Sequence, residues 1–243
     1  MVIAKEPVPG RVKTRLTPPF TPDQAARLAE ASLADSLRAV VATPAPQRVL
    51  ALDGLPGAWL PGGFSVIPQR GRGLAERLAA AFADCHRLLP VPVVLIGMDT
   101  PQVSPDLLHA ACDALTTYDA VLGPAADGGF WLLGLRRPDP ALLLGVPMSQ
   151  PCTGAAQLER LTRAGLRVLR LPELTDVDTA DDAFRVAAEA PATRFAATLT
   201  EMTQAVQAPP AAQPVRAVQA PQAAQPVRAV RVPQAAPLTG SRR

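Results

Sequence analysis

Lysine is almost missing from this chain. Of 24 basic residues only Lys5 and Lys13 are lysines, and both fall in one short stretch near the start. Cysteine is nearly as scarce. Cys85, Cys112 and Cys152 are odd in number and scattered, which argues against a disulfide framework and against a zinc site. Aromatic residues make up 4% of the chain, too few to build a platform for stacked bases. The two histidines, His86 and His109, fall in helical stretches and read as solvated or packed side chains, with no carboxylate or nucleophile expected near them in sequence. No G-x-S-x-G elbow, H-E-x-x-H helix or C-x-x-C pair occurs, so hydrolase, metalloprotease and redox chemistries drop out. No apolar run approaches the ~20 residues of a membrane span, and no basic region followed by an apolar stretch opens the chain. The cytoplasm is the expected compartment.

The formal charge of +3 is unevenly spread. Five arginines and no acid lie from Thr203 onward, which leaves 19 basic against 21 acidic residues before it. The body is mildly acidic, and a basic groove for nucleic acid is not indicated. At Thr203 the composition also changes. Residues 205–216 and 217–228 are near copies rich in Ala, Pro and Gln, followed by a degenerate third. Regular prolines and the lack of large side chains predict a disordered tail over 203–243 that leans to polyproline II. The organisation expected is a folded domain over 1–202 and this tail.

Within 1–202, strand and helix signals alternate. Apolar residues at helical spacing predict helices over 24–41, 74–88, 104–115, 153–164 and 180–202. Short apolar runs bounded by Gly and Pro predict strands at 1–4, 48–52, 64–67, 93–97, 120–123, 130–135 and 167–171. The run Val93-Val94-Leu95-Ile96 is the best candidate for a buried parallel strand. This alternation predicts an α/β layered fold around a largely parallel sheet, with the ligand site in loops at the carboxyl ends of strands.

Three such loops carry chemistry in their residues. The first is Lys5-x-Pro7-x-Pro9-Gly10-x-Val12-Lys13-Thr14-Arg15-Leu16. Lysine is a compact charge that reaches a phosphate from a loop, arginine adds a forked contact, and Gly10 permits amides to approach an anion. The loop is neither a Walker P-loop nor a G-x-G-x-x-G fingerprint. The second is Gly97-Met98-Asp99-Thr100-Pro101, directly after the strongest strand. Asp99 there suits Mg²⁺ or Mn²⁺, whose hard character matches carboxylate and phosphate together; a turn or helix-capping role is the competing assignment. The third is Asp127-Gly128-Gly129, a good turn sequence whose glycines also allow close approach to a ligand and whose carboxylate can orient an acceptor hydroxyl.

The opening motif resembles the signature of a bacterial family of GT-A-type transferases, once a domain of unknown function. Its members are described as glycosyltransferase-like or nucleotide-diphospho-sugar transferase-like, and some are linked to arsenosugar biosynthesis. More distantly the chain resembles the guanylyltransferases that activate 2-phospholactate or phosphoenolpyruvate and those of the molybdenum cofactor. The resemblance spans about 2–190. It implies a GT-A, Rossmann-like three-layer sandwich with a mostly parallel central sheet.

The resemblance also implies roles. It supports Asp99 as a metal ligand, although Met98 stands where a D-x-D motif would be polar. In Thr175-Asp176-Val177-Asp178-Thr179, a D-x-D/N-T pattern of related nucleotidyltransferases supplies a second ligand, Asp178 first and Asp176 second. Asp181 and Asp182 need no more than the helix start that Thr179 caps. Gln69-Arg70-Gly71-x-Gly73-Leu74-x-x-Arg77 resembles a loop facing the base or ribose, with Gly71 and Gly73 at a helix start and Arg77 in reach of phosphate.

The expected catalytic residues are therefore Lys13, Asp99 and Asp127. Lys5, Gly10, Lys13, Thr14, Arg15, Gly71, Gly73 and Arg77 are expected to bind the nucleotide, Asp127, Gly128 and Gly129 the acceptor, and Asp99, Asp178 and Asp176 the metal. The implied function is a metal-dependent transferase using a nucleotide-activated donor and a small-molecule acceptor, glycosyltransferase-like first. A nucleotidyltransferase releasing pyrophosphate is the alternative. A non-catalytic nucleotide-binding module that recruits partners through the repeat tail is the third reading.

Overall fold

A computed structural model describes residues 1–207 of the chain. The expected tail over 203–243 falls for the most part outside these residues. The strands are β1 (Val2–Lys5), β2 (Arg48–Asp53), β3 (Phe64–Pro68), β4 (Val93–Ile96), β5 (Ala120–Pro124), β6 (Phe130–Leu135) and β7 (Val168–Arg170). They form one sheet in the order β3-β2-β1-β4-β6-β5-β7. Every pairing is parallel except those of β6, which runs antiparallel to both β4 and β5. The carboxyl ends of β1 to β5 and β7 thus share an edge with the start of β6.

Alternation of side chains along the strands divides two cores. Val2, Ala4, Leu50, Leu52, Ile96, Val121 and Leu132 face one side, where they pack under α1 (Pro22–Ala42) and α3 (Pro105–Thr117) through Leu33, Leu37, Leu108 and Leu115. Ile3, Val93, Leu95, Leu122, Leu133 and Leu135 face the other, against Leu78 and Phe82 of α2 (Leu74–Leu88) and Leu161 of α4 (Thr153–Arg163). A strand buried on both faces is apolar at consecutive positions, which is why the β4 run reads as it does. The result is the three-layer α/β arrangement expected.

Local chemistry sets the helix starts. Thr21 and Gln24 close a capping box ahead of α1, with Pro22 at its first turn. Ser104 caps α3 and Pro105 begins it. Thr179 and Asp182 form a second capping box at α5 (Ala180–Glu189), so Asp182 is a capping residue.

The last helical region differs from its expectation. It is two helices, α5 and α6 (Arg194–Gln207), separated by a break that contains Pro191, which lacks the amide a continuous helix needs. Buried Asp35 of α1 accepts from the amides of Arg194 at 3.0 Å and Phe195 at 2.8 Å, so it supplies the start of α6 from another element. α6 runs to Gln207, past the boundary expected at Thr203.

Candidate active site

Five strand-end loops and the segment leading into α4 enclose a cavity of about 880 Å³ at the carboxyl edge of the sheet. Its centre is Lys13. The residue takes the left-handed conformation (φ 49°) at the start of a short 3-10 turn, Thr14–Leu16, which swings its side chain inward. Only 8% of that side chain is exposed. Its ammonium lies 2.7 Å from Asp99 Oδ1 and 3.3 Å from Asp178 Oδ1, and donates to the carbonyl of Val177. Burial alone would lower its pKa; Asp99, Asp178 and Asp176 together outweigh burial and hold it above the usual lysine value. The group is a fixed positive charge.

The carboxylates come from two loops locked to each other. The loop after β4 is held to α1, because Ser32 Oγ donates to the carbonyl of Met98 at 2.6 Å. It is held to the loop after β7 by the Val177 amide, which donates to the Asp99 carbonyl at 2.9 Å. Arg15 reaches Asp178 Oδ2 at 3.2 Å, although Arg15 itself is largely exposed. Asp176 stands inside this group. Burial, then the charges of Asp99 and Asp127, push its carboxyl up to about 7 against the opposing pull of Lys13.

In the turn between β5 and β6, Asp127 Oδ1 accepts from the amide of Gly129 at 2.8 Å, the self-closing turn that the sequence also allowed. Asp127 and Gly129 line the cavity. Gly128 does not. It has φ +86°, and a Cβ there would come 2.0 Å from the carbonyl oxygen of Pro151, so its place is to let the turn pack against the segment before α4.

Other expected nucleotide residues divide similarly. Lys5, Thr14, Arg15, Gly73 and Arg77 line the cavity along with Lys13. Gly10 and Gly71 stand off its wall: Gly10 is a turn residue with φ +74° and open space around it, and Gly71 packs on Glu76. Both serve the turns that carry their neighbours. Arg77 is tied to Asp53 at 2.9 Å. His109 Nε2 lies 3.2 Å from exposed Asp113, one helical turn on, so a carboxylate neighbour that the sequence reading passed over is present; it lies outside the cavity.

The cavity also takes in residues that the sequence reading did not select. Arg11 and Arg72 add charge, and Gln69 spans β1 and β2 by donating to the carbonyls of Ala4 at 2.7 Å and Ala51 at 3.0 Å. Residues 148–151 form a further wall, with Ser149 at φ +58°. Arg11 and Arg72 were legible as charges within loops already singled out; residues 148–151 carry no charge and no motif.

The expected metal ligands Asp99, Asp178 and Asp176 lie together around Lys13. Among the described residues no three acidic, histidine or cysteine side chains are arranged to share a cation. Asp99 and Asp178 are instead bridged by Lys13, with Asp176 as a coupled neighbour. Two carboxylates still suit Mg²⁺ or Mn²⁺, which are commonly held by one or two carboxylates plus substrate phosphates. Thr100, on the same wall, has its hydroxyl oxygen buried without a hydrogen-bond partner, a polar group that a ligand or its water shell would satisfy.

This sheet and its two helical layers form a nucleotide-diphospho-sugar transferase fold. A protein from Desulfovibrio desulfuricans G20, provisionally named a nucleotide-diphospho-sugar transferase, shares this fold with a TM-score of 0.76 and 30% identity, over 85% of this chain and 96% of that one. Residues 27–150 match the family described as "Uncharacterized protein conserved in bacteria (DUF2064)". The chain belongs to that family. Weaker likenesses include Rv0371c of Mycobacterium tuberculosis H37Rv in complex with manganese, at 23% identity and a TM-score of 0.45 over 76% of this chain and 95% of that one. Another is molybdopterin-guanine dinucleotide biosynthesis protein A of Archaeoglobus fulgidus, at 16% identity and a TM-score of 0.47 over 79% and 100%. No curated protein sequence matches the chain.

Proposed function

We propose that this chain is a metal-assisted transferase that moves a glycosyl group from a nucleotide-diphospho-sugar to an acceptor hydroxyl. The observation that carries the reading is the seam at Lys13, where a buried ammonium, paired with Asp99 and Asp178, meets a cavity at the carboxyl ends of parallel strands. The relative from D. desulfuricans supports the class of donor.

Lys5, Lys13 and Arg15 neutralise the diphosphate, and Gly73 presents the start of α2 to it. Asp53 fixes Arg77 towards the same region. Asp99 and Asp178 are the residues that would hold Mg²⁺ or Mn²⁺, which supplies charge stabilisation for the leaving diphosphate. In the transfer, the acceptor hydroxyl gives its proton to the Asp127 carboxylate and its oxygen bonds to the sugar carbon. The bond from that carbon to the diphosphate oxygen breaks, and its electron pair leaves on the nucleoside diphosphate.

A nucleotidyl transfer has one observation in its favour: six cationic residues line the cavity, enough to stabilise departing pyrophosphate. Incubation of the protein with nucleoside triphosphates and with nucleotide sugars, in Mg²⁺ or Mn²⁺, separates the two. Nucleoside diphosphate release from a sugar donor supports glycosyl transfer, pyrophosphate release supports the other, and neither product removes both. Truncation after Gln207 tests the recruiting module: an enzyme keeps its turnover, whereas a module that works through the repeats loses its function. No helix among the described residues is long and apolar enough to cross a membrane. The cytoplasm remains the proposed compartment.

A further inference from the structure

The charges around the cavity are sorted by side. Lining residues from the first part of the chain, up to Leu78, include Lys5, Arg11, Lys13, Arg15, Arg72 and Arg77 and no acid. Those from Leu95 onward include Asp99, Asp127, Asp176 and Asp178 and no Lys, Arg or His. The sheet order explains the separation, since β3, β2 and β1 form one half of the carboxyl edge and β4 to β7 the other.

Lys13 and Arg15 reach across this seam, but only as far as Asp99 and Asp178. Among the described residues Asp127 has no ion-pair partner and lines the cavity, whereas Asp176, which also lines it, lies within the field of Lys13. The rest of that half is uncharged. Leu95, Phe130 and Met148 join the second core cluster at the cavity wall, and Ser149 and Gln150 add neutral polar groups beside them.

We infer that the acceptor is an uncharged alcohol carrying an apolar group, and that it lies between the turn at Asp127 and the wall formed by residues 148–151. The inference rests on the transferase reading above and deepens it. A phosphorylated or carboxylated acceptor beside that turn would bring its charge against the Asp127 carboxylate, with no Lys, Arg or His side chain on that half to receive it. An alcohol meets the opposite situation, because its hydroxyl must lose a proton as it attacks and a carboxylate beside it can accept one. A phosphate nucleophile is already ionised and gains nothing from that neighbour. The sorting of charge therefore also weighs against a nucleotidyl transfer onto a phosphate acceptor.

The test uses the full chain saturated with Mg²⁺ and a nucleoside diphosphate, UDP or GDP. Two probes that differ by one phosphate group, 1-O-octylglycerol and 1-O-octylglycerol 3-phosphate, are titrated by calorimetry. The neutral probe is expected to bind at least about tenfold more tightly, the ratio that one unfavourable charge contact of about 1.4 kcal/mol produces. Equal or tighter binding of the phosphate, or no binding of either probe to the nucleotide-loaded protein, overturns the inference. Gln150→Lys places a cation on the proposed wall. It should narrow the preference by about tenfold with nucleotide affinity unchanged; an unmoved preference shows that the acceptor lies elsewhere. Failure to bind any nucleotide is a different result, which removes the transferase reading itself.

Discussion

Lys13 Nζ and Asp99 Oδ1 lie 2.7 Å apart, joining the loop after β1 to the loop after β4. The contact unites a residue chosen as a phosphate ligand with one chosen as a metal ligand. In the free protein each occupies the other's charge. Donor and metal are therefore expected to bind together, since the pair must loosen for either carboxylate or ammonium to take a new partner.

Lys13→Met tests that balance. It removes the cation but leaves Asp99, Asp176 and Asp178 crowded at one place. The expected cost is about 1–3 kcal/mol at neutral pH without metal, less than for a fully buried pair because Asp99 is 40% exposed. Urea denaturation should show the loss shrinking when Mg²⁺ is added or the carboxylates are protonated. Nucleotide affinity should fall with or without metal.

Asp99→Asn keeps the shape of the side chain and removes its charge. Metal-dependent turnover and metal-assisted nucleotide binding should be lost. Stability without metal should change by less than about 1 kcal/mol, because Asp178 and Asp176 remain near Lys13. Retained metal-dependent activity together with a large loss of stability would mark Asp99 as a structural residue.

Asp176 gives a pH signature. Its carboxyl is raised from 3.8 to about 7, so the native state holds a proton that the unfolded chain has released across that window. Stability should thus fall as pH rises between these values and flatten above the upper one. Allowing for partial exposure of the group, the total is on the order of 2 kcal/mol. Asp176→Asn should remove the slope in metal-free denaturation curves and be the more stable protein at pH 8. A slope that survives the substitution would assign it to other groups.

Gly128→Ala should be poorly tolerated. Its backbone is left-handed (φ +86°) and the added Cβ would meet the Pro151 carbonyl at 2.0 Å. A loss of more than about 2 kcal/mol is expected, from strain and displaced backbone together. Gly10→Ala, also at positive φ but with open space around it, should cost about 1 kcal/mol and leave nucleotide affinity unchanged. Thermal melts and nucleotide titrations of both variants distinguish packing from strain.

The order of strands and helices was legible because its signals are local. Apolar runs such as that of β4 mark strands buried on both faces, and Thr21, Ser104 and Thr179 announce helix starts through side chains that bond amides three residues away. That order also placed Lys13, Asp99, Asp127 and Asp178 in strand-end loops, where open sheets of this kind bind ligands. The split between α5 and α6 was less visible. Pro191 marks a break, but the cap that starts α6 is Asp35, from a helix far earlier in the chain.

What the sequence determined by itself was the alternation of elements and the loops at which chemistry gathers, since both follow from spacing and from bonds within a few residues. Only the tertiary structure decided which loops meet. It placed Lys13 between Asp99 and Asp178, kept Gly10, Gly71 and Gly128 off the cavity wall, and brought the uncharged segment 148–151 to face Asp127. It also sorted cations and carboxylates onto opposite halves of the edge, through a strand order that no local pattern encodes. Electrostatic and packing partners act through space, so residues distant in the chain acquire their roles when the sheet assembles.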